Sequence, residues 1–351
     1  MAGPTDESAS SLDRYSRQWR YAPLGIEGQR RIAAARALVV GCGALGSAIV
    51  NLLVRAGVGT VRVVDRDFVE LSNLGRQVLF DEQDVADELP KAVAAARKLG
   101  VINSQVTVEP VVADLHPGNI ESLAADVGVI VDGTDNFETR FLINDFAVKH
   151  GVPWVYGGCI GAEGQTMTIL PGRSGCLRCL MEEPPPAGTV PTCDTAGILA
   201  SAAGVIASIQ ALEALKILSG NAAAASPHLT IIELWENRIR QINLQSLSDQ
   251  RACPACKGRE FPWLEGRAGG QAALLCGRNS VQISPPPGSE VSLDALAAKL
   301  SPLGHVRRNE YLLRLEVDGH LLTVFPDGRT IIGGTDDIAL AKSLHARYVG
   351  A

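Results

Sequence analysis

The run Ala37–Ser47, ALVVGCGALGS, constrains the fold more than any other stretch of the chain. Four apolar residues lead straight into Gly41, Gly43 and Gly46, and an apolar segment follows. That pattern is a buried parallel strand, a tight turn and a helix start. Gly41 lets the chain turn, Gly43 lets backbone N–H groups approach a phosphate, and Gly46 lets the helix pack close to the strand. The N-terminus of that helix favours negative charge. The G-x-G-x-x-G spacing alone is shared by many nucleotide folds. Its context narrows it. A second strand, Gly59–Asp65, ends in an acid nineteen residues after Gly46, placed to accept from ribose hydroxyls. The spacing predicts a nucleotide and leaves open which one.

From Ala37 to about His150 strand and helix patterns alternate, which predicts an α/β fold with a doubly wound, Rossmann-like, mostly parallel sheet. The polar loop Asp67–Gln77, DFVELSNLGRQ, leaves the carboxyl end of the second strand. Pro90–Leu99 reads as a helix with Pro in its first turn and Lys91 beside it. Gln105–Val112 and Val127–Thr134 read as the next two strands. The latter delivers Asp132, Asp135 and Asn136 to the edge where open α/β sheets bind ligands. A helix over Glu138–Lys149 and a strand over Pro153–Tyr156 follow. Upstream, residues 1–12 read as a disordered N-terminus, ahead of Asp13–Gln18, DRYSRQ, and a helix around Gln29–Ala35.

The second half differs. Gly157–Gly164 is glycine-rich, and Gln165–Leu170 alternates like an antiparallel strand. Leu229–Leu234 and Ile239–Leu244 pair, so the sheet continues into antiparallel strands. Glu182–Pro191 is too proline-rich for a helix and reads as a stiff crossing loop ending at Cys193. An Ala-rich helix is expected from there to Ser219. Its stretch Ala196–Leu212 is the most membrane-like in the chain. However, it is rich in small residues and has no basic flanks, which suits a core or dimer helix. Composition shifts near Arg267, where a small α+β module over residues 267–351 is expected, with a hairpin at Asp318–Gly319. A net charge of −6 gives a nucleic-acid role no electrostatic support. The polar first twelve residues carry no secretion signal, so the reading is a cytoplasmic protein without a membrane partner.

Cysteine placement supplies the second strong signal. Cys176-x-x-Cys179 and Cys253-x-x-Cys256 form two knuckles far apart in sequence, and four thiolates in two such pairs fit tetrahedral Zn²⁺. With all four positions filled, a structural four-cysteine zinc site is the expectation. Cys42 and Cys159 read as packing residues. Cys276 reads as a strand-core cysteine, with sulfur relay as the alternative.

Seven separated motifs then agree with one known family. DRYSRQ, GCGALGS, VVDRDFVELSNLGRQ, LPKAVAAARK, DGTDNFETR and the two C-x-x-C pairs occur in the order seen in adenylyltransferases related to ubiquitin-activating enzymes. Residues 13–266 resemble that adenylation domain, the bacterial molybdopterin-synthase and thiamine sulfur-carrier enzymes above all. The resemblance implies ATP-dependent adenylation of the C-terminal glycine of a small ubiquitin-like carrier ending in Gly-Gly, with later sulfur transfer. It implies that Gly41, Gly43, Ala44 and Gly46 line the phosphates and that Asp65 holds the ribose. Asp67, Ser72, Asn73, Leu74, Gly75, Arg76, Lys91 and Asn136 complete the nucleotide site, and Asp135 binds Mg²⁺. Arg17 would reach into a partner subunit's site, implying a homodimer. Arg17, Arg76, Lys91 and a metal held by Asp135 would offset the repulsion between a carboxylate and a triphosphate. Cys193 matches a cysteine that some relatives use covalently, and a small packing residue is its other use. A cysteine desulfurase or a rhodanese is the implied sulfur donor.

Two departures stand out. Gly75 occupies a position where glutamine is common, and the C-terminal module lacks the C-x-x-x-x-R loop of the rhodanese domain that some relatives carry. The module is read as partner-binding. Outside the family, an NAD-linked oxidoreductase would use the glycine loop and Asp65 but leave Asn73, Arg76 and Lys91 idle. A non-catalytic scaffold that binds nucleotide and carrier is the third reading.

Overall fold

The computed structural model describes residues 12–186, 189, 191, 193–244, 252–268, 272–275, 279–283, 289 and 291–350. The expected disordered segment 1–12 therefore lies, apart from Leu12, outside the described residues, as does Cys276. The chain divides into two compact units, the larger ending at Arg267 and the smaller beginning at Ala268, with Asp194–Ala196 grouped with the smaller.

The larger unit opens with a helical turn, Ser16–Trp19, and α1 (Gly25–Ala34). Then come β1 (Arg36–Val40), α2 (Ala44–Arg55), β2 (Thr60–Val64), α3 (Lys91–Ile102), β3 (Thr107–Val111), β4 (Val129–Asp132), α4 (Phe137–His150) and β5 (Trp154–Ile160). Strands β6 (Glu163–Ile169), β7 (His228–Glu233) and β8 (Arg238–Asn243) follow, with α5 (Ala200–Leu218) between β6 and β7. The eight strands form one sheet in the order β3-β2-β1-β4-β5-β6-β7-β8. Pairing is parallel from β3 to β5 and antiparallel from β5 to β8. The strands expected in this unit are present with edges moved by a residue or two, except that the one expected to end at Tyr156 runs on to Ile160. The sheet changes direction at β5/β6 because a two-residue turn returns the chain at once, whereas parallel neighbours need a crossover.

The order reverses between β1 and β4, the switch point at which a crevice opens beyond the strand ends. Three glycines close-pack there. Gly41 sits at φ +85°, and a side chain on it would lie 2.7 Å from the Gly133 carbonyl oxygen. A Cβ on Gly46 would overlap the Gly41 carbonyl, and one on Gly133 would lie 2.9 Å from the Gly46 Cα. Strands β1 and β4 are buried along Ala37–Val40 and Val129–Asp132, and Leu38, Val40 and Ile130 belong to one apolar core with Phe141, Ile143 and Trp154.

Two expectations need correction. The strand expected over Pro153–Tyr156 does not stop before the glycine-rich stretch: β5 runs through Gly157 and Gly158 to Ile160, turns, and re-enters as β6. Glycine at 157 makes room for a neighbour, since a Cβ there would run into the Gln210 amide of α5. The Ala-rich helix is also broken. A helical turn, Cys193–Ala196, ends at Gly197, which takes φ +75°, and Leu199 N–H bonds to the Gly161 carbonyl at 2.9 Å before α5 starts. Among the described residues α5 alone is long and apolar enough to cross a membrane. It is nevertheless a core helix. Ala202, Ala203, Ala207, Ala211 and Ala214 are buried, and it packs against α2, β5 and β6.

Among its described residues the smaller unit has six strands, β9 (Ala272–Leu275), β10 (Ser280–Ile283), β11 (His305–Arg308), β12 (Leu313–Val317), β13 (His320–Val324) and β14 (Thr330–Gly333). They form an antiparallel sheet in the order β11-β12-β13-β14-β10-β9. Two helices, α6 (Leu293–Leu300) and α7 (Ile338–Tyr348), share its core with Val281, Leu315, Leu322 and Ile332. Asp318 and Gly319 both take positive φ, as the two-residue β12–β13 turn requires.

Because the glycine contact is backbone on backbone, even one methyl group cannot be absorbed by a rotamer change. Gly46→Ala is expected to cost about 1–3 kcal/mol of stability from overpacking and to weaken nucleotide binding. Urea denaturation and ATP calorimetry check both. A variant with unchanged midpoint and affinity would refute the close-packing account.

Candidate nucleotide and metal sites

The crevice is built on hydrogen bonds to β2 and its exit. Asp65 accepts from the Cys42 N–H at 2.5 Å and from the Asp67 N–H at 2.6 Å, so its carboxylate ties the glycine loop to the end of β2. Burial pushes this carboxyl above the usual carboxylate range, and the Lys91 ammonium opposes the rise. Burial likewise pushes the Cys42 thiol, fully enclosed behind the loop, far upward. Gly43 caps α2 without a side-chain hydrogen bond, and the nearest atom to a Cβ there would be the Gln77 amide nitrogen at 3.9 Å. Backbone N–H groups and open space thus meet at Gly43 and Ala44, as a phosphate needs.

Lys91 begins α3 and is buried. Its Nζ lies 3.2 Å from Asp67 Oδ2, and its N–H donates to the Asp67 carbonyl at 2.8 Å. The Val69 N–H continues that seam by donating to the Leu89 carbonyl at 3.0 Å. Asp67 is therefore the partner that holds Lys91 in the crevice wall. The loop carrying Ser72, Asn73, Leu74, Gly75 and Arg76 contains a 3₁₀ turn, Leu71–Asn73. Asn73 is buried, and its Oδ1 accepts from Glu70 N–H at 3.2 Å in a capping box. The Arg76 guanidinium donates to the Ser72 carbonyl at 2.8 Å, and Gly75 is exposed with open space where a side chain would project.

On the other flank, the turn after β4 carries Asp135 and Asn136, both exposed. Asn136 caps α4 by accepting from Thr139 N–H at 2.9 Å. Asp132 does not face the crevice. It is fully buried, paired with Arg140 Nε at 3.0 Å, and accepts from the Thr134 N–H and hydroxyl.

Contacts thus tie Asp65, Asp67 and Lys91 to the glycine loop, Gln77 beside the Ser72–Arg76 loop is the side chain nearest a Cβ on Gly43, and Asp135 and Asn136 follow closely on Gly133, which packs on Gly41 and Gly46. Arg17 is not among them. Its helical turn is pinned at the opposite end of the strands, where Gln18 donates to the Ala56 carbonyl at 3.0 Å and Asn103 to the Tyr15 hydroxyl at 2.8 Å. Arg17 itself is exposed there. The Cys193 side chain lies outside the described residues.

Sequence reasoning missed Gly133, Arg140 and Arg66. Gly133 had a signal, since it directly follows the acid that ends β4. Arg66 pairs with Asp114 at 2.8 Å and lies near Asp67 and within electrostatic range of Asp135. Nothing in the local pattern distinguishes it from a surface charge.

The four cysteines form a separate cluster. Cys176 Sγ lies 3.9 Å from Cys179 and 3.6 Å from Cys253, and Cys179 lies 3.4 Å from Cys256. All four sulfurs fall within 4.8 Å of one another. Tetrahedral zinc with Zn–S bonds of ~2.3 Å implies S···S edges of about 3.8 Å, so the cage fits that ion. Backbone holds the knuckles: Leu177 N–H donates to Asn144 Oδ1 at 2.9 Å, and Gly258 N–H to the Cys253 carbonyl at 3.0 Å. Arg178, between the first two ligands, donates to the Glu260 carbonyl at 3.0 Å and faces Asp145. Since metal affinity becomes folding free energy, Cys179→Ser should lose most of the bound zinc and melt earlier. Metal analysis and calorimetric melting check this. Full zinc content in that variant would remove Cys179 from the ligand set.

The ThiF family model matches residues 15–255. The sulfur carrier protein ThiS adenylyltransferase of Bacillus subtilis is 46% identical over 338 residues, which cover 96% of this chain and 99% of the relative. The SAMP-activating enzyme E1 of Haloferax volcanii is 40% identical over 248 residues, covering 71% of this chain and 90% of that one. Among solved structures, E. coli MccB with MccA-N7isoASN superposes with a TM-score of 0.59 at 20% identity, over 70% of this chain and 81% of that chain, a likeness of fold.

Proposed function

The chain belongs to the ThiF family, and from that premise we propose that it adenylates the C-terminal carboxylate of a small ubiquitin-like sulfur carrier with ATP. The observation that supports the reading is the packing of the glycine loop on Gly133 at the switch point, with the Asp67–Lys91 seam tied to it through Asp65. Gly43, Ala44 and Gly46 would offer backbone N–H groups to phosphate oxygens, Gly41, whose own N–H bonds to the Val64 carbonyl at 2.7 Å, makes the turn that lets phosphate approach, and Asp65 would meet the ribose hydroxyls. A carrier carboxylate oxygen attacks the α-phosphorus. The bond from that phosphorus to the bridging oxygen breaks, and pyrophosphate leaves. The nucleophile is already ionised, so no base is required. The chain's task is to offset charge, which Lys91, Arg76 and Asn73 do on the triphosphate. Asp135, exposed beside the loop, would hold Mg²⁺, which when bound neutralises phosphate charge.

Arg17 completes this set from a second copy, a role that its exposure far from its own crevice supports. The working unit is therefore a homodimer. Cys193, at the end of the proline-rich loop, is positioned in sequence for covalent sulfur chemistry after adenylation, with a cysteine desulfurase or rhodanese as donor. The unit from Ala268 onward binds a protein partner, and the enzyme works in the cytoplasm. The carrier ends in Gly-Gly, as the motif resemblance implies.

Radiolabelled pyrophosphate should exchange into ATP only when a Gly-Gly-terminated carrier is present. Asp135→Ala should lower that exchange by about two orders of magnitude or more while leaving the melting temperature in place. Carrier-independent exchange would count against the substrate. Full exchange in Asp135→Ala would remove Asp135 from the metal role.

A further inference from the structure

We propose that the buried pair Asp132–Arg140 is a positioning device that sets Asp135 in the crevice. Its spectroscopic test rests on the metal role proposed for Asp135. The pair is nearly sealed from solvent, at 0% and 6% exposure. Buried ion pairs seldom add net stability over apolar residues of the same size. What this pair does add is geometry. Asp132 Oδ1 accepts from Thr134 N–H at 2.8 Å and from the Thr134 hydroxyl at 2.7 Å. Arg140 Nη2 donates to the Thr134 carbonyl at 2.6 Å and to the Gly157 carbonyl at 2.9 Å, while its Nε holds Asp132 Oδ2 at 3.0 Å.

The residue just before Asp135 thus has its N–H, carbonyl and hydroxyl all engaged by one ion pair. Gly133 N–H bonds to the Val40 carbonyl at 2.8 Å, and Asn136 caps α4 on the other side. Asp135 is exposed yet flanked by residues held on both sides. Arg140 also stacks near Tyr156 and Phe137, with its guanidinium carbon 5.2 Å and 5.5 Å from their ring centres, so its plane is fixed as well. Arg140 is buried and acts through Asp135, as outer partners orient metal ligands elsewhere. A lysine would keep the charge but lose the planar fork that reaches Asp132, Thr134 and Gly157 together.

The test uses the full chain with a non-hydrolysable ATP analogue, and Mn²⁺ affinity is read by electron paramagnetic resonance. The paired substitution Asp132→Leu with Arg140→Met leaves no orphan charge. It should fold, keep its zinc and bind metal-free nucleotide as before, yet hold Mn²⁺ about 10- to 100-fold more weakly. Arg140→Lys should show the same direction and carries the test if the paired variant does not fold. Wild-type Mn²⁺ affinity in either folded variant overturns the proposal. Asp135→Asn serves as the control. If it too binds Mn²⁺ like the wild type, the metal role has failed and hydrogen exchange of the Gly133–Asn136 segment decides. Faster exchange in the variants sustains the positioning role, and unchanged protection overturns it.

Discussion

The mutual contact of Gly41, Gly46 and Gly133 is the constraint on which the crevice depends. It brings the exit of β1, the first turn of α2 and the exit of β4 to backbone contact at the switch point. No side chain mediates that approach, so it has no rotamer freedom to lose and nothing to slip. The loop's other ties assume it. Asp65 can accept from Cys42 N–H only while the loop stays folded against β2. The turn bearing Asp135 is anchored through Gly133 N–H to Val40, the last residue of β1.

Much of this was legible in the chain. Strand β1 and the glycine loop are visible because a buried parallel strand needs an unbroken apolar run, and the turn after it admits only glycine at position 41. Lys91, Asn73 and Arg76 were legible only through their joint order with other motifs, since each alone reads as a surface polar residue. The four-cysteine cluster was legible because ligand spacing within a knuckle is local, even when the knuckles are distant. What stayed hidden depends on who faces whom. Asp132 looks like a strand-end acid and Arg140 like a charge in the first turn of a helix until α4 folds back over β4 and buries them together. The passage of β5 through Gly157 is not apparent from a glycine-rich stretch until Gln210 of α5 supplies the bulk that the glycine omits. The break at Gly197 was likewise masked by alanines that favour helix on both sides.

The cysteine cage closes another side of the same core. Cys176, Leu177 and Cys179 are buried among Phe141, Trp154 and Leu229, and α4 reaches them through Asn144 and Asp145. One helix therefore begins at the cap beside Asp135 and, about two turns on, holds the first knuckle. Arg140 lies on that helix between its cap and the residues that meet the knuckle.

Cys42 lies inside the nucleotide loop with no exposed surface, and its enclosure holds the thiol protonated far above neutral pH. Thiolate is the form that attacks disulfides and takes up sulfane sulfur. The chain thus keeps a cysteine at the tightest bend of its glycine loop yet away from solvent thiols and disulfides. The burial that packs the loop also insulates it from the chemistry it serves.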